Sequence, residues 1–354
     1  VCDPPRSPSG DRGGLAGLPG IEVQPLVLLL THAADHTTVD WVADALKRRG
    51  ALPLRVDTDR FPLHWQLALR SEGAEDGGLL RLHGRSHALE EVQAVWLRQW
   101  LPPALGDAVD ARFRAQCVQE CRHVLRALWD RLEGARWVNA LDAVERAGAK
   151  LRQLRLARAV GLRVPDTLCS NDPDEVRAFH ARQARGVVMK MQTVLAPGMS
   201  GGAGNLYTTV IEADDLQDER GLVLCPPLFQ ERIPKAEELR VIAVDGQLFC
   251  AAIRPQAGTG RVDDWRPQTG LAWQIAKLPE SVASRFLTLM RRLGLRYGAA
   301  DFIHTPDDDW VFLEVNACGE WGMLQRDLGL PIADALAEAL LNVSPTHLAA
   351  LQSS

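Results

Sequence analysis

The sequence predicts a mixed α/β (α+β) fold, and three observations support this class. A continuous apolar run over 26–30, a helical pattern over 39–46 and a second strand-like stretch over 53–57 predict a β-α-β unit, which is typical of an open α/β sheet. Asp245-Gly246 lies between two apolar runs and predicts a β-hairpin. Two further apolar segments within 299–316, separated by the turn Asp307-Asp308-Asp309, predict two strands that pair with each other.

Between these regions the sequence predicts a long helix over 110–132. Its apolar stripe consists of Phe113, Cys117, Cys121, Val124, Leu125 and Leu128. Two of its cysteines, Cys117 and Cys121, lie four residues apart with His123 nearby, which is the composition of half a metal site. Because the neighbourhood offers no second half, we interpret the stripe as part of the core.

The chain divides into four predicted segments. Residues 1–24 are rich in Pro, Gly, Arg and Ser, and we expect a disordered leader or a remnant of cloning. An N-terminal α/β domain with connecting helices is predicted over 25–164, a central domain over 165–228 and a C-terminal domain over 229–354. No internal repeat is visible.

Composition excludes several classes of protein. The 354 residues contain 40 Lys and Arg against 45 Asp and Glu, a net charge of −5, which argues against general nucleic-acid binding. Seven scattered cysteines, an odd number, favour reduced thiols and a cytoplasmic location. No apolar run approaches the roughly 18 residues that a membrane span requires, so no membrane association is expected.

Oxygen-bearing side chains on two late strands predict a magnesium site. Glu314 and Asn316 are two residues apart in an apolar strand and therefore share one face. Asp301 lies on the strand expected to pair with it, and three such oxygen ligands suit Mg²⁺ bridged by phosphates. The alternative is a half-buried strand with a polar face toward solvent.

A Gly-rich segment over 196–204, which includes Gly201 and Gly202, is a candidate phosphate-binding loop. It joins two predicted strands, and neither the P-loop pattern nor the dinucleotide fingerprint occurs in the chain. The alternative is a mobile surface hairpin. Lys190, on the preceding strand, and Lys150, within a helix predicted over 142–160, are candidates to neutralise phosphate charge.

The strand-like stretch over 222–233 ends in a candidate nucleotide hinge. Its residues are Gln230, Glu231, Arg232 and Ile233. We expect the hinge backbone to bind an adenine edge and a nearby acid, Glu231 or Glu238, to bind the ribose hydroxyls.

The order of these elements resembles the ATP-grasp superfamily over about 142–341. A narrower resemblance covers nearly the whole chain after about Gln24 and is to the microviridin-type (graspetide) ATP-grasp macrocyclases, which are related to RimK. The motifs that carry it are Ala94-Val95-Trp96-Leu97-Arg98, Glu237-Glu238-Leu239-Arg240-Val241, Asp264-Trp265-Arg266, Glu314-Val315-Asn316 and Gly319-Glu320-Trp321.

This resemblance implies a three-domain ATP-grasp fold with an N-terminal open α/β domain, a central lid domain and a C-terminal antiparallel-sheet domain. It implies ATP and Mg²⁺, with two ions, as cofactors, a leader-bearing ribosomal precursor peptide as the partner, and a homodimer. In the implied reaction, ATP phosphorylates a side-chain carboxylate, and a Ser, Thr or Lys side chain then displaces the phosphate to close an ester or amide. Arg240, Arg254 and Arg266 are expected to serve catalysis, the last two by holding the carboxylate. For Arg266 the alternative is an ion pair with Asp263 or Asp264.

Two positions depart from the family pattern. Glu320 stands where the family often has Gln, and Arg98-Gln99 stands where paired arginines are often seen. Two other functions compete with macrocyclisation: a RimK-like ligase that adds an amino acid or amine to a carboxylate, and a non-catalytic nucleotide-binding module.

Overall fold

Four β-sheets and nine α-helices make up the described part of this computed structural model. The structure describes residues 24–71, 77–192, 208–217, 219–254, 263 and 272–342. The mixed α/β class predicted from the sequence is confirmed.

The first part of the chain forms two sheets. Its elements are β1 (Leu26–Thr31), α1 (Thr38–Arg48), β2 (Leu52–Asp57), β3 (Gln66–Leu69), β4 (Gly78–Leu82), β5 (Arg85–Ala88), β6 (Val92–Leu97), α2 (Ala111–Arg131), β7 (Arg136–Val138), α3 (Leu141–Ala147) and α4 (Lys150–Ala159). The parallel sheet has the order β2-β1-β6-β7, and its central strand β1 is buried along its whole length, as its unbroken apolar run predicts. The antiparallel sheet has the order β3-β4-β5.

Helix α2 is buried only toward its C-terminal end. Leu125 and Leu128 are inaccessible to solvent, whereas Phe113 is 59% exposed and Val124 is 39% exposed. The prediction of a continuous core stripe was therefore wrong for the first turns of the helix. Within the described residues, no three His, Cys, Asp or Glu side chains cluster as metal ligands.

The helix predicted over 142–160 is two helices. Ala149 adopts an extended conformation between α3 and α4. The first helix therefore ends at Ala147, which Gly148 caps, and the second helix begins at Lys150. A continuous helical pattern does not reveal this break. Its consequence is that Lys150 occupies the first turn of α4, where its side chain is free to leave the helix surface.

The central part of the chain forms a small sheet of order β10-β9-β11-β8. Its elements are β8 (Thr167–Cys169), α5 (Pro173–Arg182), β9 (Val187–Lys190), β10 (Thr209–Ile211), α6 (Arg220–Leu224) and β11 (Leu228–Glu231). Asp172 caps α5 by accepting a hydrogen bond from the backbone N–H of Asp174 at 2.9 Å. Residues 222–224, predicted as strand, belong to α6, because the Pro226-Pro227 pair separates them from the strand that follows.

The last part of the chain forms an antiparallel sheet of order β14-β13-β12-β15-β16 with helices packed on it. Its elements are β12 (Glu237–Val244), β13 (Gln247–Ile253), β14 (Gln274–Ala276), α7 (Glu280–Leu293), β15 (Tyr297–His304), β16 (Trp310–Asn316), α8 (Gly322–Leu328) and α9 (Ile332–Leu341). The predicted hairpin is present, and both of its turn residues, Asp245 and Gly246, have positive φ. Helix α9 packs against α1, so one apolar core joins the first and the last of the described helices.

Among the described residues, no helix combines the length and the apolar character that crossing a membrane requires. The six cysteines of the described part are free thiols.

Candidate active site

A polar cleft lies between the central sheet and the C-terminal sheet. It is lined by Lys150, Pro165, Val188, Lys190, Met191, Thr208, Gln230, Glu231, Ile233, Lys235, Glu238, Asp263, Asp301, Ile303, Leu313 and Glu314. Three lysines and five carboxylates therefore meet in one place, beside a few apolar side chains. This composition suits a ligand that carries both a polyphosphate and a flat apolar ring.

The predicted magnesium ligands are brought together by strand pairing. Asp301 on β15 and Glu314 on β16 are direct partners in the sheet, and the Asn316 amide lies 3.4 Å from the Glu314 carboxylate. Two carboxylates and one amide oxygen match the hard oxygen donors that Mg²⁺ prefers. A set of only three protein ligands also suits this ion, because Mg²⁺ in nucleotide sites takes its other ligands from phosphate and water.

A β-bulge sets the direction of these side chains. The register between β15 and β16 shifts after the Asp301–Glu314 pair, so that Phe302 faces Phe312 and Leu313 is the additional residue. Bulges re-aim side chains next to active sites. Here Leu313 and Glu314, neighbours in sequence, both line the cleft.

Lys150 reaches the site from the start of α4. Its Nζ atom lies 3.0 Å from the Glu314 carboxylate and donates a hydrogen bond to the Met191 carbonyl at 3.3 Å. Met191 directly follows β9, the strand that carries Lys190. The sequence predicted that both lysines serve one phosphate site, and the structure places both in the cleft.

Arg240 supplies a further positive charge. Its guanidinium is 7% exposed, lies 2.8 Å from the Asp301 carboxylate and donates to the Glu320 carbonyl at 3.1 Å. Arg240 on β12 and Asp301 on β15 are direct strand partners, so the sheet register fixes this pair.

Lys235 was missed by the sequence reasoning. Its side chain is 14% exposed, and Nζ lies 3.0 Å from Glu238 and 3.1 Å from the Asp263 carboxylate. Burial lowers the pKa of Lys235, but these two carboxylates outweigh burial and hold the pKa above its ordinary value. The available signal was its position three residues before Glu238, directly after the predicted hinge.

Asp263 joins separate parts of the chain at the cleft. Its backbone N–H donates to the Thr208 carbonyl at 2.9 Å, and its carboxylate accepts from the Arg232 guanidinium at 3.1 Å. The sequence suggested Arg266 as an alternative partner for this acid. Asp263 contacts Arg232 and Lys235, and the pairing with Arg266 stays a prediction because Arg266 lies outside the described residues.

The predicted hinge borders the cleft, although part of its backbone is engaged elsewhere. The N–H groups of Glu231 and Arg232 donate to the carbonyls of Asp166 at 2.9 Å and Gly186 at 3.0 Å. The buried amide of Gln230 donates to the Thr167 hydroxyl at 3.1 Å. Recognition of adenine by this hinge stays a prediction, one that does not use those two N–H groups.

The remaining predicted residues lie outside the cleft or outside the described chain. Arg254 directly follows β13, and its side chain is 79% exposed and 3.0 Å from the Glu237 carboxylate. Gly201 and Gly202, like Arg266, fall outside the described residues. The structure therefore brings Arg240, but not Arg254, to Asp301, one of the predicted metal ligands.

Glu320, which departs from the family pattern, contacts Arg98 of the Arg98-Gln99 pair. Arg98 is buried, and its guanidinium lies 2.5 Å from the Glu320 carboxylate and donates to the Cys318 carbonyl at 2.7 Å. The other oxygen of Glu320 accepts the N–H groups of Trp321 at 2.9 Å and Gly322 at 2.6 Å, at the start of α8. Glu320 is thus explained by a charge partner that directly follows β6 and by the helix N-terminus.

Cys318 lies beside this pair but does not supply a nucleophile. Burial raises the pKa of its thiol to about 11, so the reactive thiolate is scarce at neutral pH.

Gly319 lies next to Asn316, one of the predicted metal ligands, in a position without room for a side chain. A Cβ atom here would lie 2.5 Å from the Cβ of Ala299 and 3.1 Å from that of Asn316. Its carbonyl accepts a hydrogen bond from Tyr297 at 2.6 Å, and burial raises the pKa of that hydroxyl, which keeps its proton.

We expect Gly319→Ala to lower the free energy of unfolding by about 1–3 kcal/mol, because buried Ala299 cannot move aside. Urea denaturation measures this change. Gly221→Ala is the matched control, since a Cβ atom there meets nothing within 4 Å and the residue lies in α6. Equal stabilities of Gly319→Ala and the wild type would contradict the described packing.

The lowered pKa of Lys190 predicts that nucleotide binding depends on pH. Burial lowers the pKa of its ammonium group below the ordinary 10.5. A phosphate group is already fully ionised well above its second pKa of about 6. As pH rises through the lowered pKa, Lys190 loses its charge, and we expect the affinity for ADP to fall.

Calorimetric titration of ADP from pH 7.5 upward measures this effect. Lys190→Arg is the matched variant, because arginine keeps its charge over the whole range. A wild-type affinity that declines with pH no more steeply than that of Lys190→Arg would refute the assignment of Lys190 to phosphate.

The comparisons with known proteins agree with this geometry. Residues 26–145 match the family described as the MvdD pre-ATP grasp domain. Macrocyclase MdnC of Microcystis aeruginosa MRC, solved with its precursor peptide MdnA, is 35% identical, with 90% of this chain and 100% of that chain covered and a TM-score of 0.81. Macrocyclase MdnB of the same organism is 42% identical at the same coverage, with a TM-score of 0.78.

Two further relatives have lower sequence identity to this chain. A RiPP-associated ATP-grasp ligase of Chryseobacterium gregarium, solved with ADP and a leader and core peptide, is 28% identical, with 91% of this chain and 98% of that chain covered and a TM-score of 0.82. A probable α-L-glutamate ligase of Stenotrophomonas maltophilia is 25% identical over 66% of this chain and 77% of its own length.

The fold and the cleft define an ATP-grasp ligase. Within that class, the chain belongs to the family of ATP-grasp macrocyclases that includes MdnB and MdnC.

Proposed function

We propose that this protein is an ATP-dependent macrocyclase of a leader-bearing ribosomal precursor peptide. The observation that carries the proposal is the convergence of Asp301 and Glu314 with Lys150 and Lys190 in one cleft, where Arg240 forms an ion pair with Asp301. It is supported by the MdnC and Chryseobacterium gregarium structures, which hold precursor or leader and core peptides.

The proposed reaction has two steps. The γ-phosphoryl group of ATP passes to an Asp or Glu carboxylate of the precursor, which gives an acyl phosphate and ADP. A Ser or Thr hydroxyl, or a Lys amine, then attacks the acyl carbon, loses a proton to solvent and displaces phosphate. The product is an ester or amide cross-link between two side chains of the same peptide.

The residues of the cleft suit the electrostatics of the first step. A phosphoryl group and a carboxylate both carry negative charge, so their approach requires fixed positive charge. Lys150, Lys190 and Arg240 supply it in our proposal, while Asp301, Glu314 and Asn316 hold Mg²⁺, with two ions as the expected number. Bound Mg²⁺ supplies further neutralisation of the phosphates.

The proposed nucleotide and peptide contacts also involve residues that do not line the cleft. Gly201 and Gly202 cover the phosphates, 230–233 hold the adenine, and Glu231 or Glu238 holds the ribose. Arg254 and Arg266 hold the carboxylate to be activated, since a guanidinium binds a carboxylate through two parallel hydrogen bonds. We further propose that the domain boundaries lie near residues 165 and 229. The protein forms a homodimer and is located in the cytoplasm in this proposal.

Mass spectrometry tests this function directly. Incubation with ATP, Mg²⁺ and a partner precursor should give a product lighter by one water per ring. Failure to consume ATP with any candidate precursor would count against the proposal.

The match to probable glutamate ligases supports a second candidate, addition of a free amino acid to a carboxylate. The same experiment separates the two functions. A mass gain of one amino-acid residue indicates the second, whereas loss of water indicates macrocyclisation.

A further inference from the structure

We propose that Gln153 is a positioning residue that fixes the magnesium-binding strand by clamping the backbone of Val315. This inference rests on the proposed function, because it assumes that Glu314 and Asn316 bind Mg²⁺. Val315 is the residue between them.

The clamp consists of two hydrogen bonds of opposite direction. The Gln153 amide donates to the Val315 carbonyl at 2.8 Å, and its oxygen accepts the Val315 N–H at 2.8 Å. One side chain thereby pairs with both polar backbone groups of a single residue, as a neighbouring strand would. The same amide nitrogen also donates to the Ala147 carbonyl at the end of α3.

The position of Val315 explains why a clamp is needed. Strand β16 is the outer strand of its sheet, so its outer backbone groups have no strand partner in that sheet. Val315 is 1% exposed and Gln153 is 3% exposed, so water does not compete for these groups. A buried N–H or carbonyl left without a partner destabilises the folded state, so Gln153 is the group that holds this segment in place.

Gln153 also aligns two parts of the site. It lies on α4, the helix whose first residue, Lys150, contacts the Glu314 carboxylate at 3.0 Å. One helix thus contacts the Glu314 side chain through Lys150 and the adjacent backbone through Gln153. Partners behind the direct metal ligands set their orientation and commonly change metal affinity by about 10- to 100-fold.

Magnesium-dependent binding of ADP, measured by calorimetry without turnover, tests the proposal. Gln153→Met keeps the side-chain length but removes both hydrogen bonds. We expect the Mg²⁺ concentration for half-maximal enhancement of ADP binding to rise about 10- to 100-fold. Binding of ADP in the absence of Mg²⁺ should stay within about twofold of the wild type, since the clamp does not contact the nucleotide part of the cleft.

Leu154→Ala is the matched control, because Leu154 is the next residue of α4 and is equally buried. We expect it to lower stability and to leave the Mg²⁺ midpoint unchanged. An unchanged midpoint in Gln153→Met, or an equal rise in Leu154→Ala, overturns the proposal.

Glu314→Ala separates this inference from the proposed function. A rise of the Mg²⁺ midpoint in Glu314→Ala but not in Gln153→Met overturns the clamp alone. An unchanged midpoint in Glu314→Ala overturns the metal assignment and the clamp with it.

Hydrogen exchange on the wild type gives a measurement that does not depend on whether a variant folds. We expect the Val315 amide to exchange slowly and to gain protection when Mg²⁺ and ADP are added together, but not with ADP alone. Fast exchange, or equal protection by ADP alone, contradicts the proposal.

Discussion

Glu314→Ala is expected to lower macrocyclisation turnover by about 10²- to 10³-fold while the protein remains folded, by analogy with the loss of one well-placed electrostatic contact. Glu314 lies opposite Asp301, beside Asn316 and 3.0 Å from Lys150, so its loss removes a proposed magnesium ligand and the charge partner of a phosphate-binding lysine. Single-turnover kinetics over a series of Mg²⁺ concentrations measures the effect. Asp301→Ala and Asn316→Ala are expected to act in the same direction.

Glu280→Ala is a suitable control for this prediction, because it removes an exposed glutamate from the first turn of α7. Its turnover and Mg²⁺ dependence should match those of the wild type. Unchanged Mg²⁺ dependence in the Glu314 variant would refute the assignment of the metal site.

Arg240→Ala has the second largest expected effect, and it acts on stability as well as turnover. Removal of one member of a buried ion pair costs about 3–5 kcal/mol, and both Arg240 and Asp301 are largely buried. The variant also removes the contact from Arg240 to the Glu320 carbonyl. Urea denaturation measures the loss of stability, and ATP consumption in the presence of precursor measures the loss of turnover.

A double-mutant cycle measures the interaction between Arg240 and Asp301 separately from the effect of each residue alone. Removing Asp301 as well as Arg240 should cost less than the sum of the two single changes, since no charge then stays buried opposite a missing partner. Additive losses would show that the two side chains do not interact in solution. Arg254→Ala provides the comparison, because its guanidinium is exposed and a surface pair contributes at most about 1 kcal/mol.

Local patterns were sufficient to predict the framework of the site. The mainly apolar strand 310–316, the turn that precedes it and the strand that carries Asp301 are all visible within short windows of sequence. Alternation of side chains along a strand then placed Glu314 beside Asn316.

The remaining features depend on contacts between distant residues. The bulge at Leu313 arises from the register of two strands, and Lys235 becomes part of the site only because Asp263 lies next to it. Glu320, in the motif Gly319-Glu320-Trp321, departs from the family pattern when only neighbouring residues are considered. Its contact with Arg98, which lies 222 positions earlier, explains it. Helix α6 was mistaken for strand because five residues are too few for helical periodicity to be distinguished.

The contact between Arg98 and Glu320 also limits which segments of sequence can be exchanged between this enzyme and its relatives. Arg98 belongs to the region that matches the pre-ATP grasp domain, and Glu320 follows the strand of the predicted metal ligands, so the contact joins two distant parts of the chain. A hybrid that takes residues 26–145 from a relative keeps this ion pair only where the relative also carries arginine at position 98, with the backbone contact from Arg240 to residue 320 beside it. Successful recombination between family members therefore requires residues 98 and 320 to match as a pair.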